Sequence, residues 1–126
     1  MKTSLHIALA MASGVLAVAH QPEPASAPAY LISNAESITD TIMVRQYGMA
    51  VGKTIKDFDG RVLVGAVPPV VLDPSRAPKG RFVIVEFPSM QRLQEWYNSP
   101  AYAAIRSLRE RSTTGTFFAV EGVPTP

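Results

Sequence analysis

The sequence predicts an α+β fold in the order β-α-β-β-α-β, with a four-stranded antiparallel sheet and two helices on one face. Three observations carry this reading. Residues 81–87 (Arg-Phe-Val-Ile-Val-Glu-Phe) form a short, nearly continuous apolar run of the kind a central strand shows. Two stretches with helical spacing of apolar side chains follow capping residues, one near Asp40 and one after Ser89. Shorter strand-type runs bounded by Gly, Pro and Asp flank those helices. This order is the split-βαβ, ferredoxin-like plan, with helices segregated to one side of the sheet.

The first strand is expected over Tyr30–Ala35, with Tyr30, Ile32 and Asn34 on one face and Leu31, Ser33 and Ala35 on the other. Thr39 and Asp40 supply capping oxygens for the first helix. Met43, Tyr47, Ala50, Val51, Ile55 and Phe58 then make one apolar stripe. Gly48 and Gly52 weaken that helix by about 1 kcal/mol each, so packing has to hold it. Asp59-Gly60 ends it. A second strand is expected from Arg61 to Val64, extended by Val70–Leu72 beyond Pro68-Pro69; the prolines lack ladder donors and place it at a sheet edge.

Residues 73–80 read as a polar turn region. Arg81–Phe87 is the third strand, central and covered on both sides. Ser89 caps the second helix, which buries Leu93, Trp96 and Tyr97. Ser99-Pro100 restarts it, a cap followed by proline in the first turn, and Tyr102, Ile105 and Leu108 continue the stripe. Thr116–Glu121 is the last strand. No element is left to cover the second face of the sheet, which still carries apolar side chains. An uncovered apolar face marks an association surface, so a homodimer packed sheet to sheet is expected.

At 126 residues the chain holds one domain and an extension. With 47% hydrophobic and 17% charged residues, its composition is that of a globular protein. Lys2, an apolar run over residues 5–19 and the small residues Ala17 and Ala19 describe a secretory signal peptide. The run falls short of the ~20 residues a bilayer-spanning helix needs. Cleavage is expected after Ala19, with Ala27 the poorer alternative because Pro28 follows it. The domain organisation is then a signal peptide at 1–19, a proline-rich spacer at 20–28, the folded domain at 29–123 and a tail at 124–126. The expected location is periplasmic or secreted, with no membrane attachment after cleavage.

Cleavage removes one lysine and leaves 11 basic against 10 acidic residues, a net charge of +1. That is no electrostatic footprint for nucleic acid. Lys79–Val85 has the look of an RNA-binding strand, but Arg81 and Val83 stand where stacking aromatics are needed, so no nucleic acid partner is expected. There are no cysteines, and the two histidines, His6 and His20, precede the domain. This excludes histidine-based triads, Cys-His dyads and histidine-ligated haem or zinc within it, and no cofactor or metal is expected. His20 as an N-terminal copper ligand lacks the second histidine such a site needs.

A set of short motifs runs along the domain: Ala29-Tyr30 after the proline-rich leader, Thr39-Asp40 with Tyr47, Gly60-Arg61 and Glu86-Phe87-Pro88-Ser89. Trp96-Tyr97-Asn98-Ser99-Pro100-Ala101-Tyr102 and Phe118-Ala119-Val120-Glu121-Gly122 complete it. In these residues the chain resembles the domain-of-unknown-function 1330 family of dimeric α+β barrels, particularly its exported members. The resemblance implies the fold and a dimer; no family chemistry is established, so no catalytic residue carries over. Two departures stand out. Phe58-Asp59 replaces a His-Gly frequent in the family, and Gly65–Pro69 replaces a segment with an Arg and glycines.

Glu86, a carboxylate in an apolar strand, is the sharpest candidate for chemistry: burial in a cleft would raise its pKa and suit a general base. Near the strand's end it can equally meet Arg61, Arg81 or water. Trp96 and Tyr102 could line a pocket between helix and sheet, with Arg106 and Arg109 at i,i+3 holding an anion, or they could be core and solvated face. Tyr47 is expected in the core with a partner for its hydroxyl. Three functions fit these residues: a small-molecule-binding homodimer, a cofactor-independent isomerase or monooxygenase using Glu86 or Tyr102, and a structural or interaction module. A pocket reaching Glu86 would favour the first two, and a salt-bridged Glu86 beside a filled core the third.

Overall fold

The computed structural model describes residues 26–126 and Gly14. The signal-peptide reading, both histidines and the spacer up to Ala25 fall outside the described residues, Gly14 excepted. In chain order the elements are β1 (Ala29–Ala35), β2 (Ser37–Ile38), α1 (Thr41–Asp57), β3 (Arg61–Val67), a 3-10 turn (Pro74–Arg76) and β4 (Arg81–Phe87). There follow α2 (Met90–Tyr97), α3 (Pro100–Glu110), β5 (Thr113–Thr114) and β6 (Phe117–Glu121). The main sheet runs β3-β4-β1-β6 with every neighbouring pair antiparallel, which is the expected α+β plan.

Local chemistry explains the helices. Asp40, extended at φ −143°, accepts from the Ile42 and Met43 amides and starts α1. Thr39 does not share that role; its hydroxyl donates to the Arg111 carbonyl instead. At the other end Gly60 N bonds Ile55 O and Asp59 N bonds Lys56 O, a Schellman arrangement. Its left-handed residue is Asp59, at φ 63°. Ser89 caps α2 through the Arg92 amide and Ser99 caps α3 through the Tyr102 amide. The second helical stretch is therefore two helices, broken where Ser99 and Pro100 were expected to restart it.

Register places Leu31 opposite Val85 and Ala29 opposite Phe87, all pointing toward the helices. They pack with Ile55, Leu93, Trp96 and Tyr102 into the core, each large apolar side chain contributing about 1.5–3 kcal/mol by its burial. The Trp96 indole donates to Thr54 Oγ1 at 3.0 Å, so its one polar atom is satisfied. On the opposite face Ile32, Ile84 and Phe118 stand in one row, with Val64 and Val120 beside them. Phe118 is 46% and Val120 42% exposed. Among the described residues nothing covers this face, so β4 is central but covered on one side only.

The edge strand departs from expectation. β3 runs unbroken through Val67 with register shifts at Leu63 and Ala66, two bulges that twist it. Val70–Leu72 does not continue the strand: Pro68 and Pro69 have no amide hydrogens to donate, and the ladder stops before them. A feature with no counterpart in the sequence reading is the small β2–β5 sheet, which ties the entry to α1 to the exit from α3.

Candidate functional site

The sequence leaves a gap between α1 and the sheet. α1 presents Gly48 beside Tyr47 and Val51, and a Cβ built at Gly48 would meet no atom within 4 Å. The result is a cavity of about 250 Å³. Its floor is the helix-facing side of β1 and β4 (Leu31, Val83, Val85) and its back is Trp96 and Phe117, while Tyr47, Val51 and Ile55 roof it from α1. Among the described residues two arginines line it, Arg81 and Arg109, and no acidic side chain does.

The mouth lies where β1 ends, and backbone contacts hold it in shape. Asn34 Oδ1 accepts from the Thr116 amide at 2.7 Å and hydroxyl at 2.6 Å, while its Nδ2 donates to Lys79 O at 3.0 Å. Gly80 (φ 88°) and Gly115 (φ 141°) press against the Ala35 and Asn34 carbonyls so closely that a Cβ would fall within 1.9 and 2.0 Å of those oxygens.

A polar cluster stands at the pocket wall. Tyr102, fully buried, shares a 3.2 Å hydrogen bond with the Tyr47 hydroxyl and accepts one from Arg109 Nε at 3.1 Å. Arg109 lies over the Phe117 ring, 3.8 Å from its centroid, with its side chain 17% exposed. Burial, with the neighbouring Tyr102, pushes the Tyr47 phenol above its ordinary value, and the charge of Arg109 acts against them. The Tyr102 ring packs 4.2 Å from Trp96, centroid to centroid.

The predicted site residues therefore separate. Tyr47 and Trp96 line the pocket, and Tyr102 stands behind Tyr47. Arg106 does not line it: its Nη2 donates to Tyr97 O at 2.6 Å and its guanidinium lies 4.2 Å from the Tyr97 ring centroid. Its neighbour Arg109 reaches the pocket instead, so the two do not grip one anion together. Arg109 follows Tyr102 by seven residues, two helical turns, and that spacing is the signal that separates it from Arg106. Arg81 and Asn34 had no local signal; the pairing of β1 with β4 and β6 brings them to the mouth.

Glu86 lies elsewhere. It is paired across the open sheet face with Tyr30 on β1 and Arg61 on β3, and its Oε1 accepts from Arg61 Nη2 at 3.0 Å. Its hydrogen bond to Tyr30, with burial and its negative charge, raises the Tyr30 phenol pKa, and Arg61 opposes the shift. The sheet itself stands between Glu86 and the pocket, because the flanking Val85 and Phe87 face the helices.

The fold is similar to several solved structures. A protein of unknown function from Rhodopseudomonas palustris is 14% identical, with a TM-score of 0.61 over 79% of this chain and 85% of that one. A dimeric ferredoxin-like protein of unknown function from Thermobifida fusca is 14% identical, with a TM-score of 0.50 over 76% and 90%. Hydroxynitrile lyase from Passiflora edulis is 13% identical, with a TM-score of 0.55 over 81% and 98%. At such identities the likeness is one of fold. No curated protein matches the sequence significantly. A family model described as a domain of unknown function, DUF1330, matches residues 28–123. That span holds every element from β1 to β6, and the chain belongs to the DUF1330 family.

Proposed function

We propose that this chain is an exported, homodimeric protein that binds a small molecule in the pocket between α1 and the sheet. The observation that carries the reading is the cavity itself: about 250 Å³, mostly apolar, with Tyr47 and Arg109 on its wall. At ~30 Å³ per water it holds the equivalent of about eight waters, so its ligand is small, on the order of ten non-hydrogen atoms. Thermal-shift screening of the purified chain against a metabolite library tests this, and the reading is lost if no compound stabilises the protein.

The homodimer rests on the uncovered apolar row of Ile32, Ile84 and Phe118, which a second copy of the same face would bury. The dimeric description of the Thermobifida fusca protein is in keeping with it. Light scattering behind a sizing column decides: a monomer at micromolar concentration contradicts the sheet-to-sheet arrangement. Export rests on the basic start, apolar run and small residues of 1–19. N-terminal sequencing of the exported protein should begin at His20. The enzyme reading built on Glu86 receives no geometric support, since that carboxylate is held by Arg61 on the face away from the pocket.

A further inference from the structure

The hydrogen bonds at the pocket wall have a direction, and the direction names a ligand class. This deepens the small-molecule reading above and rests on it. Arg109 offers donors only, so the Tyr102 oxygen accepts from its Nε. Tyr102 has no exposed surface, and the hydroxyl oxygen hydrogen-bonded to it is that of Tyr47 at 3.2 Å. Tyr102 therefore donates and Tyr47 accepts, which leaves the Tyr47 proton to be given to something else. That hydroxyl belongs to a side chain lining the pocket.

The same wall carries the Arg109 guanidinium, largely buried and stacked on Phe117. Its carboxylate neighbour, Glu110, stands 3.7 Å away, beyond hydrogen-bond distance, and is itself 53% exposed. The cluster is thus rich in donors and short of acceptors, beside a cavity with no acidic lining residue among the described residues. A neutral carbonyl compound would satisfy Tyr47 but leave the positive charge, against apolar walls, with only the longer ion pair to the exposed Glu110. A phosphate dianion would bring a second negative charge with no partner at the inner wall. One negative charge on two acceptor oxygens meets both donors.

The geometry points to a small apolar carboxylic acid, bound as its carboxylate, as the ligand of this pocket. Arg109 and Tyr47 hold the head group, and the body lies against Leu31, Val51, Ile55 and Val85. Arg81, exposed at the mouth, attracts anions to the entrance.

Calorimetric titration of the purified full chain at neutral pH compares benzoate with benzamide and hexanoate with hexanamide. At least one carboxylate should bind about tenfold or more tightly than its amide, the difference a charge-assisted hydrogen bond makes. Arg109→Met, which keeps an apolar stem on Phe117, should lose that preference, while Tyr47→Phe should weaken the carboxylate yet keep it preferred. If circular dichroism shows Arg109→Met unfolded, Arg109→Lys takes its place: the charge stays, so the preference persists while affinity falls. Equal binding of acids and amides by the wild type overturns the carboxylate assignment and leaves the small-molecule reading standing. An Arg109→Met that folds and keeps the full preference also overturns it. Binding of none of the four removes the pocket reading and this assignment together.

Discussion

Tyr102→Phe isolates one hydroxyl in an otherwise unchanged core. The ring remains, so its packing against Trp96 at 4.2 Å and its stacking near Phe117 are retained. What is lost are two hydrogen bonds, to Arg109 at 3.1 Å and to Tyr47 at 3.2 Å. A bond to a charged group contributes about 1.5–3 kcal/mol and a neutral one about 1. Arg109 and Tyr47 both border the pocket, where water can replace part of the loss, so the net cost should be about 2 kcal/mol. Urea unfolding at fixed protein concentration measures it, with an unchanged slope showing that the native state stays compact. For a domain of about 100 residues the melting temperature should fall by roughly 8–16 °C. The cost should also depend on Arg109. In an Arg109→Met background, Tyr102→Phe should cost about 1 kcal/mol, a coupling read from the double-mutant cycle. A Tyr102→Phe variant within about 0.5 kcal/mol of wild type, or a cycle with no coupling, would refute the donor chain from Arg109 to Tyr47.

Three further predictions follow from the same geometry. Because burial raises the Tyr47 phenol above 10.0 in the folded state, its stabilising contribution is complete below that pH. It is lost as pH rises further, by up to about 1.4 kcal/mol per unit; Tyr47→Phe should flatten the alkaline limb of the stability profile, and an identical limb in both proteins argues against the burial. Gly115→Ala should cost about 2–4 kcal/mol, since φ is 141° and the new Cβ would press on the Asn34 carbonyl; a wild-type melting temperature would contradict the close approach. Glu86→Gln should cost no more than about 0.5 kcal/mol, because its partner Arg61 is 71% exposed, and ligand binding in the pocket should be unchanged. A loss of binding in that variant would return Glu86 to the site.

Most of the fold was legible because its signals are local. Asp40, Ser89 and Ser99 cap helices through amides two or three residues away, and the stripes from Met43 to Phe58 and from Leu93 to Leu108 face inward as their spacing requires. The dipeptide Asp59-Gly60 closed α1, although which residue turns left-handed was not evident. Val70–Leu72 misled because β-type composition outlived the ladder: with two prolines before it, the backbone had no donors to continue pairing. The β2–β5 pair has no signal in the sequence, because two-residue strands carry no periodicity.

The candidate site was legible in residue type and not in grouping. Glu86, Tyr47, Trp96, Tyr102 and Arg106 stand out in the sequence as one group, and the structure divides them among the open sheet face, the pocket, its second layer and the side of α3 that packs on Tyr97. Strand parity sets Glu86 on the face opposite Val85 and Phe87, but which face the helices would cover is a tertiary fact. By itself the sequence determined the four main strands, the helical stretches, their order, the caps at Asp40, Ser89 and Ser99, and the lack of His and Cys in the domain. Only the tertiary structure decided that Arg109 meets Tyr102 and Tyr47, and that Gly48 leaves a cavity beside them. Those outcomes depend on helix packing and strand register, which join distant residues such as Asn34 and Thr116, 82 positions apart, with no local trace in the chain.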